Sequence, residues 1–381
     1  MPQTSIPCVI YRGGTSRGIF FHEKDLPKEE EKRREIFVTA IGSYDPTQVD
    51  GLGGTTSHTS KVAIISPSND PNADVNYTFV QLGQDESIVD YQGTCGNLMS
   101  AVGAFAVDEG LVQATEPYTD VRVYNTNIEK YLIIKVPTEN GHAKVDGDFY
   151  MAGLKKPGAK IIIDILNPGG ATTNQTMPIG PVATVQTPSG NFDVSFLDIV
   201  NPFVFVNAQA LGLKGNETKK ELESSESFMS QFEAIRRAAA VKAGLAPSTD
   251  EVAVSIPKMA FVAEPQDYVT VNGEKVSKDD VDIVTKMTSV GKIHNSFAVS
   301  GLMNVAAAVV LKGTIPSAVA NPQIKTGENE NQYVVRIGHA NGVATVKVTL
   351  TEDGKDIAAI TLDRHARRIM KGELFIPKSR L

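Results

Sequence analysis

Two short segments made almost wholly of small apolar residues constrain this chain most. They are residues 101–107 (AVGAFAV) and 305–310 (VAAAVV). Each reads as a helix, and each follows a two-residue step ending in glycine: Cys95-Gly96 in the first half and Ser300-Gly301 in the second. A helix with no polar face must be covered all round. The longest apolar run, 305–311, is far short of the roughly 20 residues that span a bilayer. The cover must therefore come from the rest of the chain, twice over.

The surrounding sequence supplies strands. Alternation and β-branched content predict them over 6–11, 19–21, 62–65, 77–81, 121–124, 131–136 and 161–165. In the second half they fall over 192–197, 203–206, 252–256, 260–263, 333–337, 343–350 and 357–362, the last followed by a short basic segment with Arg364, Arg367 and Arg368. Asn341-Gly342 closes a hairpin. Each half also carries an amphipathic helix. The first follows Pro27 and buries Ile36, Phe37, Ala40 and Ile41 before Gly42 stops it. The second opens on a Thr218/Glu221 capping box, runs a stripe through Leu222, Met229, Phe232, Ile235 and Ala239, and stops at Gly244. The order of strands, amphipathic helix, strands and apolar helix thus occurs twice, as an internal repeat. It predicts an α+β chain of two similar domains, 1–188 and 189–381, divided at the Thr187-Pro188-Ser189-Gly190 turn. The C-terminal segment is free to return to the first domain. A cleft between the halves would receive both apolar helix N-termini, a natural anion site.

Charge and cysteine content narrow the function. The net charge of −7 argues against a nucleic-acid partner and requires local cations for any anionic substrate. Two cysteines, Cys8 and Cys95, form no disulfide framework, which fits a reducing, cytoplasmic setting. No signal peptide or membrane span is expected. The six histidines show no metal-ligand spacing, and neither a Walker loop nor a dinucleotide fingerprint is present, so neither metal nor cofactor is expected.

Three constellations carry chemistry. Residues 91–110 place Cys95 where a strand hands over to a helix, with Thr94 or Asn97 as the cap and Gly110 as the stop. A thiol at a helix N-terminus is biased toward thiolate, and an anion docks on the free N–H groups there. The competing reading is a buried structural cysteine. The loop 51–60 (GLGGTTSHTS) delivers Lys61 onto a strand, as a carboxylate ligand, as a proton carrier, or simply as a solvated edge lysine. Residues 14–18 (GTSRG) match the G-x-S-x-G elbow of serine hydrolases, with Ser16 as nucleophile, but the apolar residues after it look like a second strand rather than a helix. A hairpin turn lending hydroxyl and N–H groups to a carboxylate is the preferred reading.

Four motifs, YRGGTSRG, DGLGGTTSHTSK, VDYQGTCGN and GKIHNSFAVSG, together with the C-terminal RHARRIMKGELFIP, resemble the PrpF family across nearly the whole chain. That family includes isomerases of 2-methylaconitate, aconitate and methylitaconate and the tautomerase of 4-oxalomesaconate. The resemblance implies the diaminopimelate-epimerase-like fold, with each domain a barrel-like sheet around a central helix and the site between them. It implies Lys61 and Cys95 as the proton-transfer residues. Ser300 stands where the distantly related epimerases carry a second cysteine, which argues against a two-thiol amino-acid racemase. The expected reaction is a cofactor-free allylic proton shift on a small unsaturated di- or tricarboxylate. Thr15, Ser16, Ser60, Gly96, Asn97, Asn201, Ser300 and Gly301 are expected to bind it. The competing classes are a serine hydrolase using Ser16 and a non-catalytic carboxylate-binding protein. A homodimer is the default assembly.

Overall fold

A computed structural model describes residues 2–84, 88–254, 256–289, 291–327 and 330–381. The chain divides into two compact units. One comprises residues 1–165 with 363–381, the other residues 166–362.

The first unit is a mixed sheet built on strand β1 (Gln3–Gly13). β1 turns back through Gly14 and Thr15 into β2 (Ser16–His22), with Gly13 opposite Ser16. On its other side it pairs along its whole length with the C-terminal strand Ala366–Pro377. The stretch expected to be a short basic segment is therefore a strand. Arg368 binds across it, with Nε at 3.1 Å from Tyr11 Oη. β2 runs parallel to β3 (Lys61–Pro67), and β3 pairs antiparallel with β4 (Val75–Leu82). The sheet continues through Tyr118–Asn125, Lys130–Glu139 and Ile161–Leu166. Helix α1 (Glu30–Ile41) buries Ile36–Ile41 and stops at Gly42, where φ is 75°.

Helix α2 (Met99–Asp108) is the apolar one, and every residue from Met99 to Val107 is buried. It touches β1, Tyr118–Asn125, Lys130–Glu139 and Ala366–Pro377, so the sheet wraps it. Gly103 is needed for that approach, because a Cβ there would lie 2.6 Å from Ile134 Cγ2. Phe105 packs among Phe20, Tyr11 and His22 in tilted and edge-on ring contacts. Full burial of such a helix contributes on the order of 1.5–3 kcal/mol per large apolar side chain.

The second unit repeats the plan. Strands Gly190–Ile199, Asn201–Asn207, Lys258–Ala263, Ile283–Ser289, Gln332–His339 and Gly342–Leu350 form successive neighbours. The expected helix after Thr218 is split. The capping box opens α3 (Lys219–Ser224), and Ser225 leaves helical geometry to cap α4 (Glu226–Lys242) with its own hydroxyl. The apolar helix α5 (Val299–Val310) contacts four of the strands, and its residues 300–309 are buried. The turn at 187–190, read as a domain boundary, closes the hairpin of Ala183–Thr187 with Gly190–Ile199 inside this unit. Its turn residues mark a change of direction and not a change of core. The strand expected at 252–256 is irregular around the exposed Val254 and leads into Pro257; Ser255 lies outside the described residues. Among the described residues no helix is long and apolar enough to cross a membrane.

Candidate active site

In the first unit the strand-to-helix handover places Cys95 as expected, but with different capping. The Cys95 carbonyl accepts the Met99 N–H at 3.1 Å, so the helix ladder begins at the cysteine. The next bonds are short-range, from Ser100 to Asn97 and from Ala101 to Leu98, which tightens the opening turn. Among the described residues the N–H groups of Gly96, Asn97 and Leu98 meet no acceptor. Neither expected side-chain cap forms. Thr94 Oγ1 instead accepts from Asn125 Nδ2 at 2.7 Å, and Asn97 Nδ2 donates to Thr15 Oγ1 at 3.0 Å. Asn127 Nδ2 holds the Tyr91 carbonyl at 2.9 Å. Two asparagines, one ending the strand Tyr118–Asn125 and one just past it, thus pin the cysteine loop.

The Gly14–Thr15 turn lies against this loop. A Cβ on Gly14, where φ is 50°, would sit 2.2 Å from Asn97 Oδ1, and one on Gly13 would sit 2.6 Å from the Asn97 carbonyl. Only glycine permits that approach. Ser16 opens β2, with its Oγ 3.9 Å from Cys95 Sγ. A strand, not a helix, follows Ser16, so the hydrolase elbow is absent and the hairpin reading stands. Gly18 joins the lysine to the same region: a Cβ there would meet Leu98 Cδ1 at 2.8 Å and the Lys61 carbonyl at 3.2 Å.

Lys61 is largely buried. Its Nζ donates to Gln81 Oε1 at 2.6 Å and lies 5.0 Å from the Phe79 ring centre. Gln81 is its partner across the β3–β4 pair. The Gln81 amide nitrogen is committed to the Ser60 and Leu82 carbonyls, which turns its oxygen toward the ammonium. Ser60 is fully buried, accepts from Gln48 Nε2 at 3.1 Å and donates to the Thr56 carbonyl at 3.0 Å. Its hydroxyl thereby closes the loop.

A group that local sequence does not reveal completes this cluster. Arg12 donates to the Gly14 and His365 carbonyls and to His365 Nδ1, each at 2.9 Å. Burial and the neighbouring Arg12 charge hold the His365 imidazole down at about 4. Tyr77 is wholly buried, and burial together with Cys95 raises its hydroxyl pKa well above the ordinary value.

The remaining expected site residues, Asn201, Ser300 and Gly301, belong to the second unit. α5 begins regularly, with Leu302 N–H on the Ala298 carbonyl at 2.9 Å, so Ser300 and Gly301 lie within its first turn. Gly301 is required because a Cβ would strike the Phe297 and Phe203 rings at 2.5 and 2.7 Å. Val200 has φ 66°, a conformation a β-branched residue rarely adopts. The wholly buried Asn304 holds it there. Its Oδ1 accepts from Ile199 N at 3.2 Å, and its Nδ2 donates to the carbonyls of Ile199, Asn201 and Ser300 at 2.7–3.0 Å. One amide therefore fixes both the 199–201 corner and the start of α5.

Residues 3–377 match the family model described as "PrpF protein". The chain belongs to the PrpF family. It is 40% identical to the 3-methylitaconate isomerase of Eubacterium barkeri, covering 100% of this chain and 99% of that one. It is 34% identical to a 2-methyl-aconitate isomerase of Shewanella oneidensis, covering 99% and 98%. It is 32% identical to the 4-oxalomesaconate tautomerase of Pseudomonas putida, covering 99% and 97%. Among solved structures, a methylitaconate-delta-isomerase superposes with a TM-score of 0.87 at 39% identity, covering 100% and 97%. A hydroxyproline epimerase from Agrobacterium vitis shares the fold alone, with a TM-score of 0.52 at 13% identity over 98% and 93%. The protein is an isomerase with the α+β fold expected from its motifs, and these relatives lend no support to the hydrolase and binding-protein readings.

Proposed function

We propose that this isomerase moves or re-forms the C=C bond of a small unsaturated di- or tricarboxylate by an allylic proton shift, with Lys61 and Cys95 as proton carriers. A base removes the proton from the carbon beside the double bond. The electron pair spreads through the alkene into a conjugated carboxylate, and a proton returns at the far end of the allylic system. Protons and electrons balance without a further reactant.

The observation that supports this reading is the convergence of Cys95, Ser16 and the Thr15–Asn97 pair on the turn 13–18, with the main chain of Lys61 against Gly18 of the same turn. The carbon acid is weak, so catalysis depends on stabilising charge on the carboxylate oxygens. The free N–H groups of Gly96, Asn97 and Leu98 suit that task, and one such donor is worth roughly 2.7–4 kcal/mol where it has been removed in other enzymes. Thr15 and Ser16 hold a second carboxylate, while Asn201, Ser300 and Gly301 are neutral donor positions of the second unit. The relatives act on methylitaconate, methylaconitate and oxalomesaconate, and the higher identity to the first puts methylitaconate at the head of the test.

Proton NMR of the enzyme in D₂O with methylitaconate, cis- and trans-aconitate and oxalomesaconate tests the proposal. Deuterium should enter one of them as its double bond shifts. Lys61→Ala should slow that reaction by about 10²–10⁴-fold with the fold intact. No exchange into any of the acids would overturn the proposal.

A further inference from the structure

Arg364 is the charged side chain that the cluster around Cys95 leaves uncommitted. It is 93% buried by surface area, being only 7% exposed. Its Nη1 donates to the carbonyl of its own neighbour, Asp363, at 2.8 Å, and its buried Nε has no partner. It forms no ion pair among the described residues. The nearby arginines differ. Arg12 spends both terminal nitrogens on His365 and Gly14, and Arg17 gives Nη2 to the Leu52 and Gly53 carbonyls. A buried guanidinium with no ion pair and an unpartnered Nε is costly and persists where an anion docks on it in the working state.

Its position identifies the anion. His365, the next residue, accepts the Gly14 N–H at 3.0 Å, and Gly14 itself lies against Asn97. Arg364 therefore stands at the end of the sheet that carries the cysteine loop. Burial lowers its pKa to about 10, while Asp363 and negative charge on Cys95 raise it. It remains a cation at neutral pH, within electrostatic reach of the thiol. A planar guanidinium with a free edge fits a carboxylate in a two-point geometry. We propose that Arg364 is the cationic subsite for one carboxylate of the substrate, beside Cys95. This meets the need for a local cation in a chain of net charge −7. The subsite deepens the isomerase proposal and takes from it the identity of the acid.

Alkylation of Cys95 tests it without requiring turnover. Iodoacetate carries a carboxylate and iodoacetamide does not, so the ratio of their rates at Cys95, followed by peptide mass mapping, reads an anion subsite beside the thiol. In Arg364→Gln the iodoacetate rate should fall roughly ten- to a hundredfold, the worth of a charge-assisted hydrogen bond, with the iodoacetamide rate nearly unchanged. An equal fall for both reagents would assign the arginine to the thiol, and no fall would leave it structural; either result overturns the subsite. Arg364→Lys keeps a charge if the glutamine variant does not fold. A buried lysine deprotonates at lower pH than an arginine. The iodoacetate preference should then be lost at lower pH in Arg364→Lys than in the wild type, and an unmoved pH profile would contradict the subsite. A wild type that isomerises none of the acids but keeps an Arg364-dependent preference sinks the isomerase proposal alone. Isomerisation with a preference indifferent to Arg364 sinks the subsite alone.

Discussion

The two apolar helices begin differently, and the difference separates reactive from holding functions. At the start of α2 the opening turn is tightened, three N–H groups are free among the described residues, and the thiol lies by Ser16 on a turn that Arg12 also holds. At the start of α5 the ladder is regular, Ser300 shares its first turn with Gly301, and the neutral amide of Asn304, one turn on, donates to the Ser300 carbonyl. The repeated architecture places the same device, a buried helix N-terminus, in both units. The first adds a thiol and a guanidinium to it. The second spends its polar side chain on holding Val200 in a strained backbone.

That contrast predicts unequal mechanical dependence. Asn304→Leu removes four hydrogen bonds and strands buried backbone groups, and should cost roughly 3 kcal/mol. In the first unit Ser100 makes one such bond, from Oγ to the Asn97 carbonyl at 2.7 Å, and Ser100→Ala should cost about 1 kcal/mol. Urea unfolding of both variants measures the gap. Equal losses would mean that the two helix starts are held alike.

A smaller effect sharpens the comparison from the other side. His365 is kept neutral by burial and Arg12, with its pKa near 4 against 6.5 for the free group. Between those values the unfolded chain binds the proton and the folded chain does not. The stability from this group is therefore full above pH 6.5 and is lost as pH falls toward 4. His365→Gln should flatten the fall in melting temperature over that window. A variant curve parallel to the wild type would show that His365 does not set the acid sensitivity of the first unit.

Local sequence carries the elements well and the contacts between them poorly. The small residues of α2 and α5, the glycine stops at Gly42, Gly110 and Gly244 and the Thr218 capping box are all written in short windows, and all appear. Cys95, Ser16, Thr15 and Asn97 come together because glycine-rich loops mark close approaches. Gln81, Asn125, Asn304 and Arg364 were not visible, because their roles depend on strand register and on chain returning from far away. Gln81 was within reach, since pairing the two adjacent strands places it opposite Lys61. Arg364 was hidden by its setting: it ends the strand Ile357–Arg364, and nothing in the local sequence separates it from the exposed Arg367. The break at Ser225 was missed because the apolar stripe continues through it.

The central claim is the proposal that proton transfer belongs to the first unit and not to the second. Deuterium exchange from D₂O into the active acid, compared between Cys95→Ser and Ser300→Ala, tests it most directly. The account predicts that Cys95→Ser loses exchange by about 10²-fold or more, whereas Ser300→Ala weakens binding and keeps exchange within about tenfold of the wild type at saturation. Exchange abolished equally by both substitutions would contradict it, and would make the two helix starts partners in the chemistry.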